Sequence, residues 1–252
     1  MHPDKLFRFD VYKLAQDCLD KYFDAMGWTR ADDVIINIQD IYENVIYPDY
    51  EVKLITCVDL GCVNGYKVLG KTLIADDEIL IDPSIADDVN SPEYAFTLAH
   101  EIGHILFHNK RDQDITSKED SIFDEGFLNE FHADSFAELL LMPHRFLIYR
   151  YIKLHGSWHA FTYNGPGNYL ITNSCVEISS LQHLYQKVTE SLAPYFPNVL
   201  PACLASNIQR LRPIEDKTVV MPESKIIKST PLIEGSPLFK LNQELCSHRF
   251  KS

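Results

Sequence analysis

In the stretch SPEYAFTLAHEIGHILFH, residues 91–108, three histidines and two glutamates stand among apolar side chains. A helix turns about 100° per residue, so His100 and His104 lie one turn apart on one face and both imidazoles can reach a single ion. Glu101 sits a quarter-turn round; it misses the ion but reaches a water bound to it. This is the H-E-x-x-H arrangement of zinc peptidases. A catalytic zinc takes three protein ligands and keeps a position open for water. It lowers the pKa of that water to about 7, and a neighbouring carboxylate takes the proton during attack. The motif also recurs by chance, and the alternative is a buried helix with incidental histidines. Two imidazoles and a carboxylate are poor core material unless something satisfies them. A third ligand decides between the two readings.

Phe107 and Lys110 stand where a metzincin carries Gly and His, which excludes that pattern. The segment NEFHADSFAE, residues 129–138, offers better donors. Glu130 and Asp134 are one turn apart and share a face, while His132 points about 200° away from Glu130. Glu130 is therefore the expected third ligand. Asp134 is placed to accept the ring N–H of a ligating histidine, His100, and so to fix its tautomer. His108 continues the histidine stripe about 6 Å beyond His104. It is too far along to be a fourth ligand without closing the open position. A contact to substrate and a hydrogen bond to the following loop both remain open for it.

Together, TLAHEIGHILFH and NEFHADSFAELLLMP resemble the ImmA/IrrE family of metallopeptidases. The second motif stands here as Glu130, Ala133, Asp134, Phe136, Ala137, Leu140, Met142 and Pro143. The resemblance extends over residues 10–143 and thins beyond Pro143. It implies a site-specific endopeptidase, or a regulator of that fold, that inactivates a DNA-binding repressor. One zinc per chain would be held by His100, His104 and Glu130, with Glu101 as general base. The residues alone lead to the same four.

Several elements must position them. Helical spacing is read over 10–26, ending at Gly27, and over 32–46; residues 51–60 alternate as a strand. Two short strands flank the Asp76–Asp77 turn, and the segment 77–85 is expected as an edge strand beside the cleft, open to a peptide by backbone pairing. The polar stretch 110–127 reads as a loop, 128–142 as a helix halted by Pro143, and further helix reaches residue 154. Residues 158–172 read as an aromatic hairpin about Asn-Gly-Pro-Gly, serving either as a substrate pocket or as a small satellite core. Helix resumes over 177–212. The expected fold is α+β: a small, mostly antiparallel sheet on a helical zincin-type core, with additional C-terminal helices. The expected division is a peptidase domain at 1–150, a helical extension with the aromatic hairpin at 151–212, and a tail at 213–252.

Composition narrows the function. The 252 residues carry a net charge of −13, which disfavours broad electrostatic capture of phosphates and hence direct nucleic-acid binding. Six cysteines without framework spacing fit reduced thiols in a cytoplasm. No apolar run has membrane-spanning length, and the N-terminus has no apolar signal core. The tail from Lys217 holds six Lys/Arg against three Glu and places Leu238, Leu241 and Leu245 at helical spacing. It is expected to dock on the acidic body, either as plain packing or as a restriction of the cleft. The expected partner is a protein substrate, by the resemblance a transcriptional regulator. The alternative is a catalytically silent zinc-containing module that sequesters its partner. Glu101 favours the enzyme, since a binder has no use for a base beside zinc.

Overall fold

The computed structural model describes residues 3–29, 34–114 and 125–218, and the side chains of 11–29, 34–107 and 129–218. The fold is α+β, with small sheets among many helices. The described chain divides into two compact units. One runs to Pro143 and includes Phe196–Leu200; the other comprises His144–Tyr195 and the chain from Pro201. No helix among the described residues is long and apolar enough to cross a membrane. The expected basic tail beyond Thr218 lies outside the described residues.

The first unit opens with α1 (Pro3–Met26), which buries Val11, Leu14, Leu19, Tyr22 and Phe23 and ends at Gly27 in the left-handed region. The helix expected from residue 32 instead begins at Ile38. The cause is Asn37: its backbone is extended, and its side-chain oxygen accepts the N–H groups of Gln39 at 2.9 Å and Asp40 at 3.4 Å. From α2 (Ile38–Ile41) the helical path continues through a π turn (Tyr42–Ile46) into α3 (Tyr47–Tyr50).

The main sheet has the order β1 (Lys53–Ile55), β5 (Glu78–Ile81), β4 (Gly70–Leu73). It is mixed: β5 runs parallel to β1 and antiparallel to β4. The expected edge strand at 77–85 is thus the central one, and β1 and β4 are the edges. The burial pattern explains it. Ile79, Leu80 and Ile81 are all buried, as in a strand covered on both sides, whereas Lys71 of β4 is exposed. The strand expected over 51–60 is only three residues long. Beyond it β2 (Cys62–Val63) and β3 (Tyr66–Lys67) form a hairpin. Asn64 and Gly65 close it, both with positive φ (54° and 83°), the usual two-residue hairpin chemistry.

Asp82 ties this hairpin to the sheet. It is fully buried, caps α4 (Pro83–Ala86) through Ser84, accepts the N–H of Leu60 at 3.1 Å, and pairs with Lys67 at 3.0 Å. The Ser84 side chain lowers its carboxyl pKa most; burial opposes, and the backbone N–H groups and Lys67 lower it further. A depressed carboxyl contributes stability above its unfolded pKa, about 3.9, and loses it as pH falls through the folded value. Asp82→Asn keeps a capping oxygen but loses the charge. We expect it to melt below wild type at pH 7, with the gap narrowing progressively below about pH 4. A gap that is constant with pH in thermal melts would remove the charge from this account.

Two long helices complete the unit: α5 (Pro92–Asp114) and α6 (Glu125–Leu141). Along α5, Tyr94, Leu98, Ile102, Ile105 and Leu106 are buried at helical spacing. The stretch expected as a loop is partly helix at both ends, and residues 115–124 lie outside the described residues.

The second unit contains α7 (His144–His155), β6 (Phe161–Tyr163), β7 (Gly167–Ile171), β8 (Ser174–Ile178), α8 (Leu181–Leu192), α9 (Pro201–Leu211) and β9 (Ile214–Asp216). The expected aromatic hairpin is misplaced. The hairpin is β7–β8, turned at Thr172 and Asn173 with φ of 46° and 70°, while β6 pairs in parallel with β9. The Asn-Gly-Pro-Gly stretch is a connection; the Tyr169 hydroxyl donates to the Gly165 carbonyl at 2.8 Å and accepts from the Asn164 N–H at 3.2 Å. The aromatics also separate. Trp158 and Phe161 pack edge-on to Tyr151, whereas Tyr163 and Tyr169 stack on each other.

Candidate metal centre

Gly103 sets the distance between α5 and α6. A Cβ there would lie 3.1 Å from Ala133 Cα and 3.3 Å from the Phe136 ring, so glycine lets the two helices approach closely. Contacts pair His100 with Asp134 and His104 with Glu130, rising along one helix and falling along the other, so the two run antiparallel.

At this crossing His100 Nε2 and His104 Nε2 are 3.0 Å apart. Glu130 places one carboxylate oxygen 3.3 Å from the first and the other 3.4 Å from the second. Asp134 Oδ1 is 2.8 Å from His100 Nδ1. An ionised carboxylate can only accept, so Nδ1 carries the proton; when the ring is neutral, Nε2 keeps its lone pair on the side of Glu130 and His104. The donor atoms of His100, His104 and Glu130 all lie within 4.8 Å of one another. Two imidazole nitrogens and one carboxylate are the donor set of a catalytic zinc, which leaves a position open. The residues present fit such an ion.

The electrostatics match. Burial lowers the His100 pKa, but the hydrogen bond to Asp134 and the charges of Glu101, Asp134 and Glu130 outweigh it, leaving the imidazole above its ordinary value. Such a cluster of acceptors attracts either protons or a cation. Glu101 is 6% exposed, and burial raises its carboxyl; the Thr72 hydrogen bond and His100 pull it back, while Glu130 adds to the rise. A carboxylate so placed is a stronger base than an exposed one.

Two residues outside the sequence expectations bear on Glu101. Thr72 Oγ1 donates to Glu101 Oε2 at 2.6 Å. Gly70 lies beneath the same carboxylate, where a Cβ would come within 2.7 Å of Oε1 and 2.5 Å of Thr97 Cγ2. Alternation along GKTL puts both on one strand face, a signal legible only once β4 is known to pack against α5 beside β5. His132 is buried, with its ring stacked on Phe107. The side chain of His108 lies outside the described residues.

Residues 84–156 match the family model of the IrrE N-terminal-like domain, Peptidase_M78. The match covers 73 of the 252 residues. The match spans α4 to the end of α7 and so includes both helices that carry the candidate ligands. It begins at residue 84, which leaves Gly70 and Thr72 outside it. Comparison with curated proteins and with solved structures gives no match.

Proposed function

We propose that this protein is a zinc-dependent endopeptidase that hydrolyses a peptide bond in a regulatory protein, a DNA-binding repressor by the family resemblance. The observation that carries the reading is the joint placement of His100, His104 and Glu130 around one point, with the buried Glu101 carboxylate beside it on the same helix. When bound, zinc supplies Lewis acidity, polarising the peptide carbonyl and acidifying water. His100, His104 and Glu130 would hold it, the histidines through Nε2 and Glu130 through its carboxylate. Asp134 orients the His100 ring. The Glu101 carboxylate takes a proton from the attacking water and passes it to the leaving amine. The outer edge of β4, which pairs with no other described strand, offers backbone groups to an extended substrate.

Asp134 supplies a test of the ligand arrangement. Removing such an outer carboxylate weakens metal binding by roughly 10–100-fold. Asp134→Asn should show that loss in a competition titration with a zinc chelator, with the fold intact by circular dichroism. Wild-type zinc affinity in that variant would take Asp134 out of the role.

The reading itself is tested by incubating the purified protein, with and without zinc, with candidate regulators encoded nearby. A single new N-terminus that appears only with zinc supports the endopeptidase. A stable complex with an uncut regulator supports the sequestering module instead.

A further inference from the structure

We infer that the edge strand β4 is a clamp for the general base, with Thr72 as a positioning residue and Gly70 as the gap into which the carboxylate is pressed. The inference rests on the peptidase reading above and goes beyond it to residues outside the matched family segment. Thr72 Oγ1 stands 2.6 Å from Glu101 Oε2 and 3.2 Å from the Glu101 carbonyl oxygen. A hydroxyl has one proton to donate, and the shorter contact to a charged acceptor is the stronger. The other carboxylate oxygen lies over the glycine, where an added Cβ would push it aside: the Cβ would meet Oε1 at 2.7 Å and Glu101 Cγ at 3.0 Å. One oxygen is held from the side and the other is boxed from below. The terminal torsion of glutamate is otherwise broad, so a free side chain would sample many carboxylate orientations. A base must face its proton within hydrogen-bond reach, and a displacement of about 1 Å can cost about a hundredfold in rate. A neutral hydroxyl orients the carboxylate without neutralising it. The strand places both contacts because Gly70 and Thr72 are two apart and share a face.

The test has two arms on the full chain. In metal-free protein, a thermal-melting cycle compares Thr72→Val, Glu101→Ala and the double variant. Thr72→Val should lower the melting temperature when Glu101 is present and have little effect when it is absent. Equal losses in both backgrounds would show that no such contact exists. In zinc-loaded protein, β-casein serves as the probe, and a synthetic peptide spanning its fastest-cut bond provides the kinetics. Thr72→Val should lower kcat by about tenfold to a hundredfold with KM and zinc content unchanged. Thr72→Ser should recover most of the loss, and Gly70→Ala should fall with Thr72→Val. An active wild type with an equally active Thr72→Val, or a serine variant as poor as valine, overturns the clamp. A zinc-loaded wild type that cuts neither casein nor any candidate regulator overturns the peptidase reading, and the positioning role with it.

Discussion

Glu101→Gln is expected to keep zinc and fold and to lose kcat by about 10²–10⁴-fold, the usual contribution of a positioned general base. The amide has the shape of the carboxylate and can still accept from Thr72 through its oxygen. It cannot take a proton from water. The stability consequence has a definite sign. Burial raises the Glu101 carboxyl pKa, so the charged form is disfavoured in the folded, metal-free protein. That cost is absent below the unfolded pKa, about 4.3, and grows as pH rises past it. Metal-free Glu101→Gln should therefore melt no lower than wild type at pH 7, and the two should converge near pH 4. Peptide kinetics, zinc analysis and melting on one preparation check all three. Undiminished cleavage by the variant would sink the mechanism. A large drop in melting temperature would mean that the carboxylate has a packing role that the amide cannot fill.

The candidate metal face is legible in the sequence because its logic is local. His100 and His104 are fixed by helical periodicity, and so are Glu130 and Asp134. Only their meeting is long-range, and Gly103 and Ala133, small residues at the crossing, are what permit it. The sheet was less readable. Which strand is central depends on pairings between β1, β4 and β5, and a run of four residues with mixed character does not declare its neighbours. The fully apolar Ile79–Ile81 held the needed hint, since a strand buried on both faces belongs in the middle. Thr72 carries no mark of its own in the sequence, because its role depends on where β4 lies in the sheet. The turns differ. Asn64–Gly65 is a strong hairpin signal and does close β2 onto β3, whereas Asn164–Gly165 closes no hairpin and Thr172–Asn173 turns β7 onto β8. An Asn-Gly pair makes a hairpin only when both flanks can pair with each other, and β6 instead pairs with β9.

Removing Glu130 should abolish metal binding while leaving the fold nearly untouched. Its side chain is 63% exposed, so it buries little and its loss opens no cavity. What it supplies is the third donor: without it, two imidazoles one turn apart are left to hold the ion. The loss should exceed the roughly 10–100-fold typical of an outer-shell partner. Linkage makes this measurable without any substrate. Zinc at 100 times its dissociation constant stabilises the folded state by about 2.7 kcal/mol. Wild type should thus melt several degrees higher when zinc is added, and Glu130→Ala should show almost no shift at the same zinc concentration. The wild-type shift should also shrink as pH falls, since protons compete for the same nitrogens and the His100 pKa is raised. Elemental analysis should find about one zinc per wild-type chain and far less in the variant. If Glu130→Ala keeps its zinc and shows the full melting shift, the carboxylate is not a ligand. The donor set would then have to be completed by a residue other than those gathered at the α5–α6 crossing.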